Sequence, residues 1–151
     1  MVRASRRLHR PWVHAPSTPS KFAEYIRRCR RDDFEGLFAC RREDGRIAGV
    51  FNFSQIFLGG FRNAYLGYYA AADSAGRGYM SEAFQLVLKH AFRTLKLHRL
   101  EANIQPGNRE SVRLVRRSGF RREGFSPRYL KIGGRWRDHE RWAITVEDWR
   151  G

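Results

Sequence analysis

Apolar residues return with helical spacing in some stretches and with strand spacing in others, and the chain divides where the period changes. Met80, Ala83, Phe84, Val87, Leu88, Ala91 and Leu95 recur every three or four positions, which predicts a helix with one buried face. In "HRLEANIQ" (98–105), Leu100, Ala102 and Ile104 alternate with Arg99, Glu101 and Asn103, the period of a half-buried strand. "LFAC" (37–40) and "IAGVFNFSQIF" (47–57) are strand-like, and Asp44-Gly45 between them is a hairpin signal. "RNAYLGYYAA" (62–71) reads as a third strand. "TPSKFAEYIRRCRR" (18–31) predicts an earlier helix, capped by Thr18 or Ser20, with a stripe of Phe22, Ile26 and Cys29. "PGNRESVRLVRRSGF" (106–120) predicts a short helix with Asn108 as N-cap and Gly119 as its stop. The segment 125–146 predicts a hairpin turning at Gly133-Gly134.

The order helix, three strands, helix, strand, helix, two strands is that of an α+β fold. The first three strands can form a meander, and the helix after them is a crossover to a fourth, parallel strand. Residues 1–19, punctuated by Pro11, Pro16 and Pro19, read as an irregular or short helical basic lead-in to a single domain over 20–151.

Composition narrows the class. At 151 residues, 42% hydrophobic, the chain is one globular domain. Its 30 Lys and Arg against 15 Asp and Glu give a formal charge of +15, a field that attracts nucleic acid, acidic protein or a phosphorylated ligand without choosing among them. Clusters such as "RRCRR" and "VRRSGFRR" keep a nucleic-acid-binding module open. Cys29 and Cys40 are the only cysteines and form no disulfide framework, which points to a reducing, cytoplasmic setting. No apolar run has membrane-span length, and no HExxH or other metal-ligand spacing occurs. The expectation is no membrane partner and no metal.

"DSAGRGYMSEA" (73–83) carries the chemistry. A helix N-terminus offers unpaired N–H groups and a partial positive charge, and glycines just before it allow a phosphate to approach without Cβ collisions. Gly76, Arg77 and Gly78 suit that task, though a ligand-free strand–helix connection has the same outline. The dinucleotide fingerprint is disfavoured, because Ser81 stands where its third glycine belongs and the turn follows a meander. No G-K-[ST] of a P-loop occurs.

On these residues the chain resembles the GNAT acetyltransferases, whose acetyl-CoA pyrophosphate lies on a turn of pattern [Q/R]-x-x-G-x-[G/A]. Asp73-Ser74-Ala75-Gly76-Arg77-Gly78 occupies that pattern, with Asp73 where Gln or Arg is usual. "RLEANIQPGNRESVRLVRRSGFRREG" is similar to the subgroup that acetylates alanine or serine N-termini of ribosomal proteins. The resemblance covers roughly residues 8–147. It implies a mixed, mostly antiparallel sheet of about six strands splayed in the middle, with three to four flanking helices. No strand run precedes Ser20, so the family's N-terminal strand is expected to be shortened or absent, leaving an exposed sheet edge suited to a homodimer.

The resemblance also implies site residues. Acetyl-CoA, the cosubstrate, would contact Ala70, Ala71 and Ala72 on the third strand, then Gly76, Arg77, Gly78, Tyr79, Met80 and Ser81 at the turn, and Asn103, Asn108 and Ser111 across the groove. A backbone N–H near Tyr68 or Tyr69 would face the thioester carbonyl. Ser111 would bond the CoA sulfur and protonate the leaving thiolate. Glu101 is the candidate base, with a solvated strand face as the alternative, and Glu82 suits the helix dipole better than catalysis. Asp138 and His139, adjacent on a strand, face opposite ways and read as structural. The implied reaction is acetyl transfer to an amine, most of all a protein Nα-amine, by direct attack in a ternary complex. A sensor that binds acyl-CoA without turnover is the other alternative.

Overall fold

A computed structural model describes residues 1–151. The elements are α1 (Arg6–His9), α2 (Pro19–Arg28), β1 (Phe34–Cys40), β2 (Ile47–Phe57), β3 (Asn63–Ala70), α3 (Tyr79–Lys89), β4 (Arg99–Ile104), α4 (Arg109–Arg117), β5 (Arg121–Ile132) and β6 (Arg135–Thr145). The strands form one six-stranded sheet in the order β1-β2-β3-β4-β6-β5, antiparallel throughout except for the β3–β4 pair. The meander and the crossover thus form as the pattern of periods predicts.

The core lies where helical and strand periods meet. Leu100, Ala102 and Ile104 of β4 are buried, as are Phe51 and Phe53 of β2 and Ala64 and Leu66 of β3 on the same sheet face. Against them α3 packs Ala83, Phe84, Val87 and Leu88. Phe84 is fully buried and stands edge-on to Phe51 at 5.7 Å, Tyr68 at 5.2 Å and Phe120 at 5.7 Å. It therefore ties β2, β3 and the connection between α4 and β5 to one helix. Beyond Lys89 the helix widens into a π-turn, His90–Thr94, so the predicted single helix reaching Leu95 is really two geometries in series.

Turn chemistry acts where the residues foretell it. Gly133 and Gly134 both have positive φ (59° and 80°), which a two-residue hairpin requires. Gly119, at φ 92°, ends α4. Thr18 caps α2, its hydroxyl accepting from the Lys21 N–H at 3.3 Å.

Two expectations need correction. The apolar stripe of α2 is not buried: Phe22 and Ile26 are 46% and 38% exposed, and the helix seats on the sheet through Tyr25 instead. The Tyr25 hydroxyl donates to Asn52 Oδ1 at 2.9 Å, and its ring crosses Gly36 so closely that a Cβ there would lie 2.1 Å from Tyr25 Oη. Polar bonding and the gap at a glycine, not the apolar moment, decide which side faces inward. Phe22, Phe38 and Tyr69 instead line an open hollow of about 370 Å³. The last hairpin also begins earlier than 125, at Arg121, because Arg121 and Arg122 pair with Ala143 and Trp142 before a bulge at Arg122/Gly124. β1 and β5 are the two edges of the sheet.

Candidate active site

The parallel ladder between β3 and β4 is short. Asn63, Ala64 and Tyr65 pair with Arg99, Leu100 and Glu101, and there it stops. β3 continues to Ala70 against β2, and β4 continues to Ile104 against β6, so the two strands diverge into a groove. Facing strand edges that no longer bond each other carry free amides and carbonyls, which want a partner with amides of its own.

Strand alternation shows which backbone groups face that groove. The Ala71 N–H bonds the Ala48 carbonyl on the β2 side at 2.8 Å, while the Ala70 carbonyl, pointing away from β2, accepts from His9 Nε2 at 2.8 Å. The backbone groups of Leu66 and Tyr68 therefore face β4, and those of Tyr69 face β2. Of the two amides that sequence leaves open, the strand geometry presents Tyr68. The Tyr69 side chain stands on the other sheet face, edge-on to His9 at 5.1 Å, its phenol pushed up to about 12 chiefly by burial. Ala70 and Ala72 are engaged from the lead-in: besides the His9 bond, the Ala72 N–H donates to the buried Ser5 Oγ at 2.9 Å. Ala71 is buried.

At the end of β3 the chain passes through a 3₁₀ turn, Ala72–Ser74, into the glycine turn. Gly76 and Gly78 have φ of 73° and 84°, and a Cβ on either would meet no atom within 4 Å. The backbone conformation favours glycine there, and the open space leaves the turn accessible to a ligand. No protein acceptor takes the amides of Gly76, Arg77, Gly78, Tyr79 or Met80, whereas the Ser81 amide bonds the Gly78 carbonyl at 3.0 Å. Those consecutive free donors at a helix N-terminus form a cradle of the kind that suits an anion. The Arg77 guanidinium lies 5.3 Å above the Tyr79 ring and pairs with no carboxylate, so its charge is available. The Tyr79 hydroxyl donates to Glu43, which holds that carboxyl below its ordinary range. The Met80 side chain packs over Gly49, leaving only its amide for the cradle. Asp73, just before the turn, is paired with Arg46 at 2.7 Å, which offsets its negative charge.

On the far wall, Asn108 caps α4 by accepting from the Ser111 N–H at 3.3 Å. Ser111 Oγ lies 2.6 Å from the hydroxyl of Tyr68, whose phenol burial pushes far above its ordinary range. Asn103 Oδ1 is buried without a hydrogen-bond partner. Glu101, beside Tyr65 in the ladder, accepts from Arg99 Nε at 3.0 Å, and the same guanidinium also bonds Glu123. One arginine uses only part of a carboxylate's accepting capacity, so Glu101 retains lone pairs for a further donor. Glu82 is exposed in the first turn of α3. His139 is buried, its Nδ1 donating to the Arg137 carbonyl at 2.9 Å, while Asp138 accepts from the Arg128 N–H. The sequence reading missed Ser5, His9 and Arg99. Tyr68 entered the sequence expectations only through its backbone N–H, without the serine its hydroxyl meets. Only the parity of Ala64, Leu66 and Tyr68 in the strand hinted at that face.

Residues 2–121 match the acetyltransferase (GNAT) domain family. The probable N-acetyltransferase YjcK of Bacillus subtilis is 36% identical over 128 residues, covering 85% of this chain and 71% of that protein. The ribosomal protein uS5-alanine N-acetyltransferase of Escherichia coli is 41% identical over 107 residues, covering 71% of this chain. This chain spans only 55% of that enzyme's length. Mycobacterium smegmatis RimJ, solved in complex with CoA-disulfide, superimposes with a TM-score of 0.83 at 30% identity over 95% of this chain and 73% of that one. With a split parallel pair, a glycine cradle and these relatives, the chain belongs to the GNAT family of acetyltransferases.

Proposed function

We propose that the protein transfers the acetyl group of acetyl-CoA to the Nα-amine of a protein, of the kind a ribosomal protein presents. One observation carries the donor side: the cradle of free amides from Gly76 to Met80 opens onto the groove where β3 and β4 part. Acetyl-CoA would place its diphosphate on that cradle, and its amide-bearing arm would meet the backbone of Leu66 and Tyr68. The Tyr68 N–H is then a fixed donor for the negative charge that develops on the thioester oxygen, a contribution of about 3–4 kcal/mol in comparable sites. Holding both reactants in one groove supplies much of the remaining rate.

The acceptor follows from what deprotonation demands. Freeing an α-amine of pKa about 8 at pH 7 costs about 1.4 kcal/mol, against about 4.6 kcal/mol for a lysine near 10.4. Glu101, already shared with Arg99, suits the smaller task. The uS5-alanine acetyltransferase among the relatives supports the same acceptor class. Attack is direct, since Cys29 sits by Tyr25 and Gly36 and Cys40 is exposed at the sheet edge, both away from the groove. We place the protein in a reducing, cytoplasmic compartment, where those free thiols persist. β1, an edge of the sheet, is where we place a homodimer contact.

The test is thiol release from acetyl-CoA with a panel of N-terminal peptides, lysine peptides, polyamines and aminosugars. Turnover confined to N-terminal peptides is the expected result. Turnover confined to polyamines or lysine overturns the acceptor assignment, and acetyl-CoA binding without any turnover makes the protein a sensor. A nucleic-acid reading draws on exposed Trp136 flanked by Arg135 and Arg137. Affinity for an oligonucleotide that falls steeply with salt and ignores acetyl-CoA would favour it.

A further inference from the structure

Tyr68 sits in a place that does not call for a hydroxyl. Its ring is held by Phe84 at 5.2 Å and Phe51 at 5.9 Å, and Leu66 shares its sheet face. Phenylalanine would fill that volume without the need to satisfy a buried O–H, which costs about 1–3 kcal/mol when unpaired. The hydroxyl does have a partner, reached 43 residues along the chain: Ser111 Oγ at 2.6 Å, with the Ser111 carbonyl a weaker second acceptor at 3.3 Å.

Ser111 is unusual in turn. A serine in the first turn of a helix ordinarily bonds nearby backbone. Here its Oγ makes no backbone bond and has Tyr68 as its one protein partner, while its N–H is taken by Asn108. A hydroxyl has one proton to give and two lone pairs. If Tyr68 donates, the Ser111 proton is left without a protein acceptor and is free to turn into the groove.

We propose that Tyr68 is a positioning residue for protonation of the leaving group: its O–H loads a lone pair of Ser111 Oγ and thereby directs the Ser111 proton at the sulfur of acetyl-CoA. This rests on the acetyl-transfer reading above. In the step, the amine lone pair forms the new N–C bond, the C–S bond breaks, and its electron pair stays on sulfur. Sulfur takes the Ser111 proton. The amine's proton passes to Glu101 and on to solvent, from which Ser111 recovers one, and nothing is oxidised or reduced. Tyr68 remains neutral throughout, in keeping with burial that disfavours its phenolate. Donation to an oxygen also polarises that oxygen's own O–H, making Ser111 the stronger acid.

The test is a double-mutant cycle of Tyr68→Phe and Ser111→Ala, assayed with acetyl-CoA and an alanine-initiated peptide. Tyr68→Phe should lower kcat about tenfold, the worth of one hydrogen bond, with the KM for acetyl-CoA and the acetyl-CoA-induced thermal shift within about twofold of the parent. The double variant should match Ser111→Ala alone, and the solvent isotope effect on kcat should change in Tyr68→Phe. A Tyr68→Phe enzyme with parental kcat, or one whose loss persists undiminished in the Ser111→Ala background, overturns the proposal. Parental kcat in Ser111→Ala removes the serine's role and this inference with it. Failure of the acetyl-transfer reading shows separately, as a parent protein that releases no thiol with any amine.

Discussion

At one end of the groove the site is backbone: consecutive amides from Gly76 to Met80, local in sequence and exposed by two positive-φ glycines. At the other end it is side chains from distant elements, Tyr68 from β3 with Ser111 from α4 and Glu101 with Arg99 on β4. The difference has a chemical basis. In the proposed reaction the diphosphate is the same in every turnover, and a preformed cluster of N–H dipoles would recognise it with no side-chain entropy to lose. In that proposal the reacting end must manage protons, which backbone cannot do, so it would draw on hydroxyl and carboxylate groups whose placement depends on packing.

Phe84 tests both ends at once, because it lies in the first turns of the helix that bears the cradle and also holds the Tyr68 ring. Phe84→Ala should cost about 3–5 kcal/mol of stability in chemical denaturation. It should depress kcat in whatever fraction stays folded. Loss of stability with normal turnover would show that Tyr68 needs no such support.

Gly76→Glu separates the ends. A side chain at φ 73° is strained, and a carboxylate there repels phosphate. Loss of two charge-assisted bonds of about 1.5–3 kcal/mol each predicts at least about a hundredfold weaker acetyl-CoA binding by calorimetry, while the strained φ lowers the melting temperature of the free protein by only a few degrees. Unaltered binding would remove the cradle from the account.

A pH profile isolates the reacting end. The free amine attacks, so kcat/KM for an N-terminal peptide should rise with pH and level off above an apparent pKa of about 8, while a lysine peptide should still be rising past pH 9. A plateau set near the same value for both would mean that an enzyme group, not the acceptor, is titrating.

The smallest effect is on stability in acid. Burial lowers the His139 pKa below its ordinary 6.5, so the folded protein favours the neutral ring. That contribution is complete above 6.5 and is lost as pH falls from there toward the folded value, because the unfolded chain binds the proton first. His139→Gln should flatten this acid limb in urea titrations without altering acetyl-CoA binding. An unchanged limb would assign it to other groups.

Legibility along the chain follows the same division. The glycine turn, the Asn108 cap and the Gly133-Gly134 hairpin could be read because each depends on conformational demands met within a few residues. The alternation of Leu100, Ala102 and Ile104 was legible because one sheet face is covered by a helix. The stripe of α2 misled, since Tyr25 finds Asn52 and the bare Gly36 across the fold, and no period within 18–31 records that. The early start of β5 was hidden for the same reason: Arg121 and Arg122 look like loop residues until Ala143 and Trp142 pair with them.

Taken alone, the order of residues determined the elements, the crossover and the glycine turn, because periodicity and φ preference are properties of short segments. Only the tertiary structure decided where the β3–β4 ladder ends, that Tyr68 rather than Tyr69 meets Ser111, and that Ser5 and His9 engage the end of β3. These are matters of which surfaces meet. They are settled by packing and by the need of each buried polar group for a partner, summed over segments far apart in the chain.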